Sequence, residues 1–169
     1  MTDHNHYGGD PGSLLSVSYP NAQLSDLVLT IENRRRLWNV VMEQRQWDKI
    51  TFHELQPVRR LLFTGPPGTG KTSTAQALAG ELGVPLYTVR LDLLTTHPKD
   101  EGEVEFRQVL DTLMQTHGVF VFDGVAEFTE ENRWILVMLQ QFLMQDTSKS
   151  VIIVASNRPR LLDGVIFEQ

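Results

Sequence analysis

From residue 61 onward, short apolar runs alternate with longer amphipathic stretches, and that rhythm sets the first expectation. Leu61-Leu62-Phe63-Thr64, Leu86-Tyr87-Thr88-Val89-Arg90-Leu91, Val119-Phe120-Val121-Phe122 and Val151-Ile152-Ile153-Val154 read as strands apolar on both faces. Between them, Thr72 to Leu82 reads as a helix stopped by Gly83 and Pro85. Val104 to Met114 sets Phe106, Val109, Leu110, Leu113 and Met114 on one helical face, and Glu131 to Gln145 predicts another helix. Strands alternating with helices, each strand buried on both sides, predict a parallel α/β sheet.

Before residue 61 the text differs. Thr30 is a fair N-cap, and Leu37, Val40, Val41, Gln44 and Trp47 follow at helical spacing, with Glu32 four residues before Arg36 on a polar face. Residues 24–60 are expected to form a helical extension and linker, closed by Pro57. Residues 1–23 hold Gly8, Gly9, Pro11, Gly12 and Pro20 among polar residues and are expected to be a mobile arm. His4 and His6 have no third metal ligand nearby and read as part of that solvated tail. Residues 61–169 are left as the α/β core. Its last predicted helix is unusual: Trp134 to Leu139 is apolar on every side, and Phe142, Leu143 and Met144 continue it. Such a helix is either sandwiched in a core or buried at an interface.

Composition narrows the class. A chain of 169 residues can bury roughly 70% of its unfolded surface, so it needs no covalent staples. With no cysteine, a disulfide scaffold, a thiolate zinc site and a Cys nucleophile are all excluded. The net charge of −6 argues against wholesale nucleic-acid binding. The longest apolar run, Trp134 to Leu139, is far shorter than the roughly 20 residues of a membrane span. Met1 to His6 is polar, with no apolar stretch of a secretory signal, so a soluble cytoplasmic domain is expected.

The sharpest signal is Gly65-Pro66-Pro67-Gly68-Thr69-Gly70-Lys71-Thr72, a full G-x-x-x-x-G-K-[ST] match between a predicted strand and a predicted helix. A chance match in a chain this long is on the order of one in a few hundred, before that placement is counted. Glycines let successive backbone N–H groups turn inward around a phosphate at the positive end of a helix. Lys71 then reaches the β- and γ-phosphates, and the Thr72 hydroxyl ligates Mg²⁺. Asp123, just past the third strand, is placed to hold the same ion through water.

Taken in order, these residues resemble an AAA+ ATPase module. The likeness covers about residues 24 to 169 and runs through Leu24-Ser25-Asp26-Leu27-Val28-Leu29, the Gly65–Thr72 loop, Phe120-Val121-Phe122-Asp123, Val154-Ala155-Ser156-Asn157-Arg158-Pro159 and Leu161-Leu162-Asp163. It implies a three-layer P-loop NTPase fold with a parallel sheet of strand order 5-1-4-3-2, and ATP or ADP with Mg²⁺ as ligands. Asn157 would be the sensor that orients the attacking water, acting with Lys71 and Asp123. Ser73 would join the loop in holding nucleotide, and Asp26, Leu27 and Val28 would pass the adenine. Arg133 stands where relatives often carry an inter-subunit arginine.

The departures are equally specific. Relatives read Asp-Glu at the third strand's end, where the Glu polarises water; here Asp123 is followed by Gly124. Glu127 would need an unusual turn to aim back, and no aromatic stands in Thr96-His97-Pro98-Lys99-Asp100 to grip a threaded polypeptide. The fifth strand and helical lid are expected to be absent, and Glu168-Gln169 stand where arginine fingers occur. Without that strand, Leu61 to Thr64 should have an unpaired edge. Two functions follow: an ATPase that remodels a macromolecular partner, with weakened hydrolysis, or a nucleotide-binding switch or silent subunit that hardly turns over. Gly124→Glu is expected to raise turnover. A GTPase is disfavoured by the lack of an N-K-x-D motif, and a small kinase by the lack of an Arg-rich lid. The apolar helix and open edge point to a ring-type homo-oligomer in the full-length protein.

Overall fold

The computed structural model describes residues 13–66, 70–125 and 129–156. Its elements run, in order, β1 (Leu15–Ser18), a 3-10 turn (Leu24–Asp26), α1 (Ile31–Arg45), α2 (Trp47–Phe52), β2 (Arg60–Thr64), α3 (Lys71–Leu82), β3 (Leu86–Arg90), α4 (Leu91–Leu94) and α5 (Lys99–Met114). They end with β4 (Val119–Val125), a 3-10 turn (Glu130–Asn132), α6 (Arg133–Gln145) and β5 (Val151–Ser156).

The sheet order is β1-β3-β4-β5-β2, with β3, β4, β5 and β2 mutually parallel. Counting only the parallel strands in chain order, this is 1-4-3-2, the arrangement the sequence implied. Among the described residues β2 pairs only with β5 and forms the sheet's edge.

Alternation along the central strands explains the layers. Phe120 and Phe122 of β4 and Ile152 and Val154 of β5 face one cluster, with Phe106, Leu110 and Leu113 of α5 and Ile135, Leu139 and Phe142 of α6. Val119, Val121, Val151 and Ile153 face the other, with Leu37, Val40 and Val41 of α1 and Ala75 and Leu78 of α3. Each fully buried side chain of this size contributes about 1.5–3 kcal/mol, so burial holds helices on both faces of the sheet.

Several expectations change. Leu15–Ser18, assigned by sequence to the mobile arm, is a strand antiparallel to β3, with Leu15 opposite Val89 and Ser18 opposite Leu86. Leu14 is buried in the first cluster and its carbonyl accepts from the Arg90 N–H at 3.0 Å, so the segment caps what would be an open edge. Residues 1–12, with His4 and His6, lie outside the described residues. α5 begins five residues before the apolar periodicity, because its first turn is polar: Asp100 and Glu101 there favour the positive helix end without contributing to the core. α1 starts where expected, with the Thr30 side chain accepting from the Asn33 N–H. α6 buries Ile135, Leu139, Phe142 and Leu143 but leaves Val137 and Met144 exposed, so it is not sandwiched on all sides.

Candidate phosphate-binding site

β2 ends at Thr64, and the chain then runs through Gly65 and Pro66 to Gly70, the N-cap of α3; residues 67–69 lie outside the described set. Gly70 sits at φ +87°, a left-handed conformation that a side chain would strain. Its carbonyl accepts from the Thr74 N–H at 2.9 Å and from the Thr74 hydroxyl at 2.7 Å, which pins the first turn. Lys71 reaches back to Gly65: its ammonium donates to the Gly65 carbonyl at 2.5 Å, joining the two described ends of the loop. Thr72 and Ser73 follow on the exposed first turn. A 12-residue helix opening in this way offers unpaired N–H groups and the positive end of its dipole to an anion.

The second component is the carboxyl end of β4. Asp123 lies opposite Arg90 of β3, is exposed, and accepts from the Gly124 N–H at 2.8 Å. The order β4-β5-β2 separates it from the loop strand by two strand spacings, about 10 Å. Mg²⁺ is held in such sites by hydroxyl, carboxylate, phosphate and water oxygens together. The Thr72 hydroxyl and the Asp123 carboxylate on one sheet edge are a donor set of that type. Among the described residues no group of three or more His, Cys, Asp or Glu side chains is gathered to hold a metal alone.

Position 124 behaves differently from the sequence expectation. Gly124 has φ +87°, and the β4–β5 register shifts between Phe122 and Val125, so the glycine is the hinge of a bulge. A Cβ there would stand 2.8 Å from both the backbone N and Oδ1 of Asp92, closer than side-chain carbons pack. Gly124→Glu therefore meets both backbone strain and a collision, and the expected gain of turnover from that single change is withdrawn.

The other sequence-assigned residues fall as follows. Asp26 accepts from the Gln23 N–H at 2.9 Å and so caps its own turn. Leu27 packs against the α1–α3 cluster, while Val28 is fully exposed, with its side chain available to a ligand. Arg133 is exposed at the start of α6. β5 brings Ser156 opposite Thr64, but Asn157 lies outside the described residues, as do Pro67, Gly68, Thr69, Glu127 and Glu168-Gln169. Sequence reasoning missed Arg90 and Asp92, whose side chains pair at 2.8 Å beside Asp123 and Gly124. The only signal was two opposite charges flanking an apolar residue at a strand's end.

The profile of the ATPase family associated with various cellular activities (AAA) matches residues 61–168. A protein of Sinorhizobium fredii named uncharacterized AAA family ATPase y4kL is 32% identical over 159 residues, covering 89% of this chain and 48% of the relative. Ribosome biogenesis ATPase RIX7 of Saccharomyces cerevisiae is 34% identical over 128 residues, 66% of this chain and 15% of the relative. ATP-dependent zinc metalloprotease FtsH 1 of Symbiobacterium thermophilum is 29% identical over 173 residues, 92% and 29% respectively. The chain thus spans about half the length of the first of these, and less of the others.

Proposed function

Because the chain belongs to the AAA family of ATPases, we propose that it is the nucleotide-binding module of an ATP-driven machine that remodels a macromolecular partner. ATP or ADP binds at the Gly65–Thr72 loop, with Lys71 and the backbone N–H groups on the phosphates. Thr72 and Asp123 hold Mg²⁺, Ser73 adds a contact on the first turn, and Asp26, Leu27 and Val28 pass the adenine. Asn157 orients water. The bound Mg²⁺ neutralises phosphate charge; the protein's own part is to hold the phosphates and keep them aligned. The observation carrying this reading is the loop itself, a strand turned by Gly70 into α3 and closed by the Lys71 contact to Gly65.

Hydrolysis is slow in this reading. With Gly124 in place of a water-polarising Glu, the assistance lost is about 10²- to 10⁴-fold, so turnover falls at least about 100-fold below a typical relative. That same glycine favours the second reading, a nucleotide switch or a silent subunit beside active ones. Ring assembly with further copies is proposed from family membership and from the exposed Val137 and Met144 of α6. No helix among the described residues is long and apolar enough to cross a membrane, which is compatible with a cytoplasmic setting. Isothermal titration of the wild type and of Lys71→Ala with Mg·ATP tests the site: heat of binding for the first alone supports it, and identical titrations would remove it.

A further inference from the structure

We propose that the amino end of the sheet carries a second binding site, a cationic pocket that takes a short run of Asp and Glu residues from a partner polypeptide. The pocket encloses about 510 Å³ and forms where the α1–α2 corner meets the turns that lead into β4 and β5. Arg45, Trp47 and Lys49 line it from the corner, His117 from the turn before β4, and Lys149 from the turn before β5. The phosphate loop follows β2 at its carboxyl end, and β2, β4 and β5 are parallel, so this pocket lies at the opposite end of the sheet. It is a separate site, standing or falling without the nucleotide site.

The frame of the pocket is fixed. The buried Ser150 hydroxyl donates to the Thr116 carbonyl at 3.2 Å and accepts from the Gly118 N–H at 3.1 Å, so His117 and Lys149 sit on two turns pinned to each other. Arg45 donates to the Glu81 carbonyl at 3.1 Å, which ties the end of α1 to the end of α3. Trp47 is half-buried, and the Lys149 ammonium stands 5.8 Å from the centre of its ring, a cation–π distance. The charged heads, in contrast, are uncommitted. Lys49, His117 and Lys149 are exposed, and neither lysine pairs with a carboxylate among the described residues. Arg45 has only a loose partner of that kind, the Glu81 carboxylate at 3.8 Å.

Two unneutralised ammonium groups, a guanidinium and an imidazole N–H thus border one cavity, and a ligand there supplies acceptors and negative charge. Exposed ion pairs gain little singly, but several cations on a fixed frame act together on one multivalent anion. The chain's net charge of −6 selects among anions. A nucleic-acid strand carries a charge at every phosphate and, running on beyond the pocket, meets a surface that is acidic on balance. A run of a few carboxylates ends within a cavity of this size. Asp48, the one acid in the lining, opposes phosphate yet can accept a peptide N–H, and the Gln46 amide can donate to a peptide carbonyl.

The test is a fluorescence-anisotropy titration of the full chain with a labelled peptide of Glu, Asp and Gly. Its Gln, Asn and Gly counterpart, a single-stranded oligonucleotide and inorganic phosphate serve as unlabelled competitors. The wild type should bind the acidic peptide with a Kd of about 0.1 mM or tighter at low salt, at least about tenfold tighter than any competitor, and should lose affinity as salt rises. Lys49→Glu with Lys149→Glu should weaken that binding at least about tenfold, and Lys149→Gln about two- to fivefold. Both lysines are exposed, so the unfolding midpoint and the Mg·ATP affinity should stay at wild-type values. A wild type that binds the acidic and neutral peptides alike, or variants that keep wild-type affinity for the acidic one, overturns the assignment. Tighter binding of the oligonucleotide or of phosphate overturns it too, in favour of a nucleic-acid or phosphate site. None of these results touches the reading of the Gly65–Thr72 loop, which fails only if the wild type does not bind Mg·ATP.

Discussion

The two ends of the parallel sheet use polar residues in opposite ways. At the amino end, Arg59 donates to the Asp146 carboxylate at 2.6 Å and to the Asp146 carbonyl at 2.9 Å. Asp146 in turn accepts from the Ser148 N–H, and buried Ser150 links the Gly118 N–H to the Thr116 carbonyl. The Asp146 side chain is fully buried and that of Arg59 nearly so. At the carboxyl end, Arg90 and Asp92 are about half exposed, and Asp123 and Thr72 are exposed. One end buries its matched charges; the other leaves its charges in solvent, the Arg90–Asp92 pair included. A buried, fully matched network sets stability, whereas exposed groups gathered on one edge are available to a ligand.

Substitutions at the two ends should therefore separate stability from binding. Arg59→Ala leaves the Asp146 carboxylate buried without its partner and should cost about 3–5 kcal/mol in chemical denaturation. ATP affinity per folded molecule should stay unchanged; a parallel loss of affinity would break the contrast. Lys71→Ala should do the reverse, weakening Mg·ATP binding by about 2–5 kcal/mol, or some 30- to several-thousandfold, by calorimetry. Its unfolding midpoint without nucleotide should barely move. Gly124→Ala tests the boundary between the two classes, since strain at φ +87° and contact with Asp92 should cost about 1–3 kcal/mol in a thermal melt. Thr30→Ala removes the cap on the Asn33 N–H and should cost about 1 kcal/mol.

Much of this was legible in the residues because the governing physics is local. Phe120 and Phe122 alternate with Val119 and Val121, so a strand buried on both faces could be read directly. The Gly65–Thr72 motif predicts its own strand-to-helix placement, and the structure sets Gly65 directly after β2 and Lys71 and Thr72 in the first turn of α3. What was not legible depends on approach in three dimensions. Leu15–Ser18 is too short and too polar to announce a strand; its order comes from the edge of β3 and from buried Leu14. The first turn of α5 has no apolar residue to extend the periodicity. Gly124 read as a deletion of function, yet its conformation and the nearness of Asp92 make it a fitted position that no single-residue pattern shows.

The pairing of β2 has a consequence for the order in which the protein assembles. β2 carries the phosphate loop, yet the strand it pairs with is β5, with Arg60 opposite Ile152 and Thr64 opposite Ser156. Nearly the whole core must be synthesised before that partner exists, and contacts so distant in sequence form slowly, because a long loop has to close first. β3 and β4 can pair and collect α5 while β2 is still unattached. A nascent chain ending short of β5 would contain every residue of the phosphate loop and still have no sheet to mount it on. The loop that follows β2 is thus mounted only once β5 has joined the sheet, and under mild denaturation the β2–β5 pairing should be among the first parts to open.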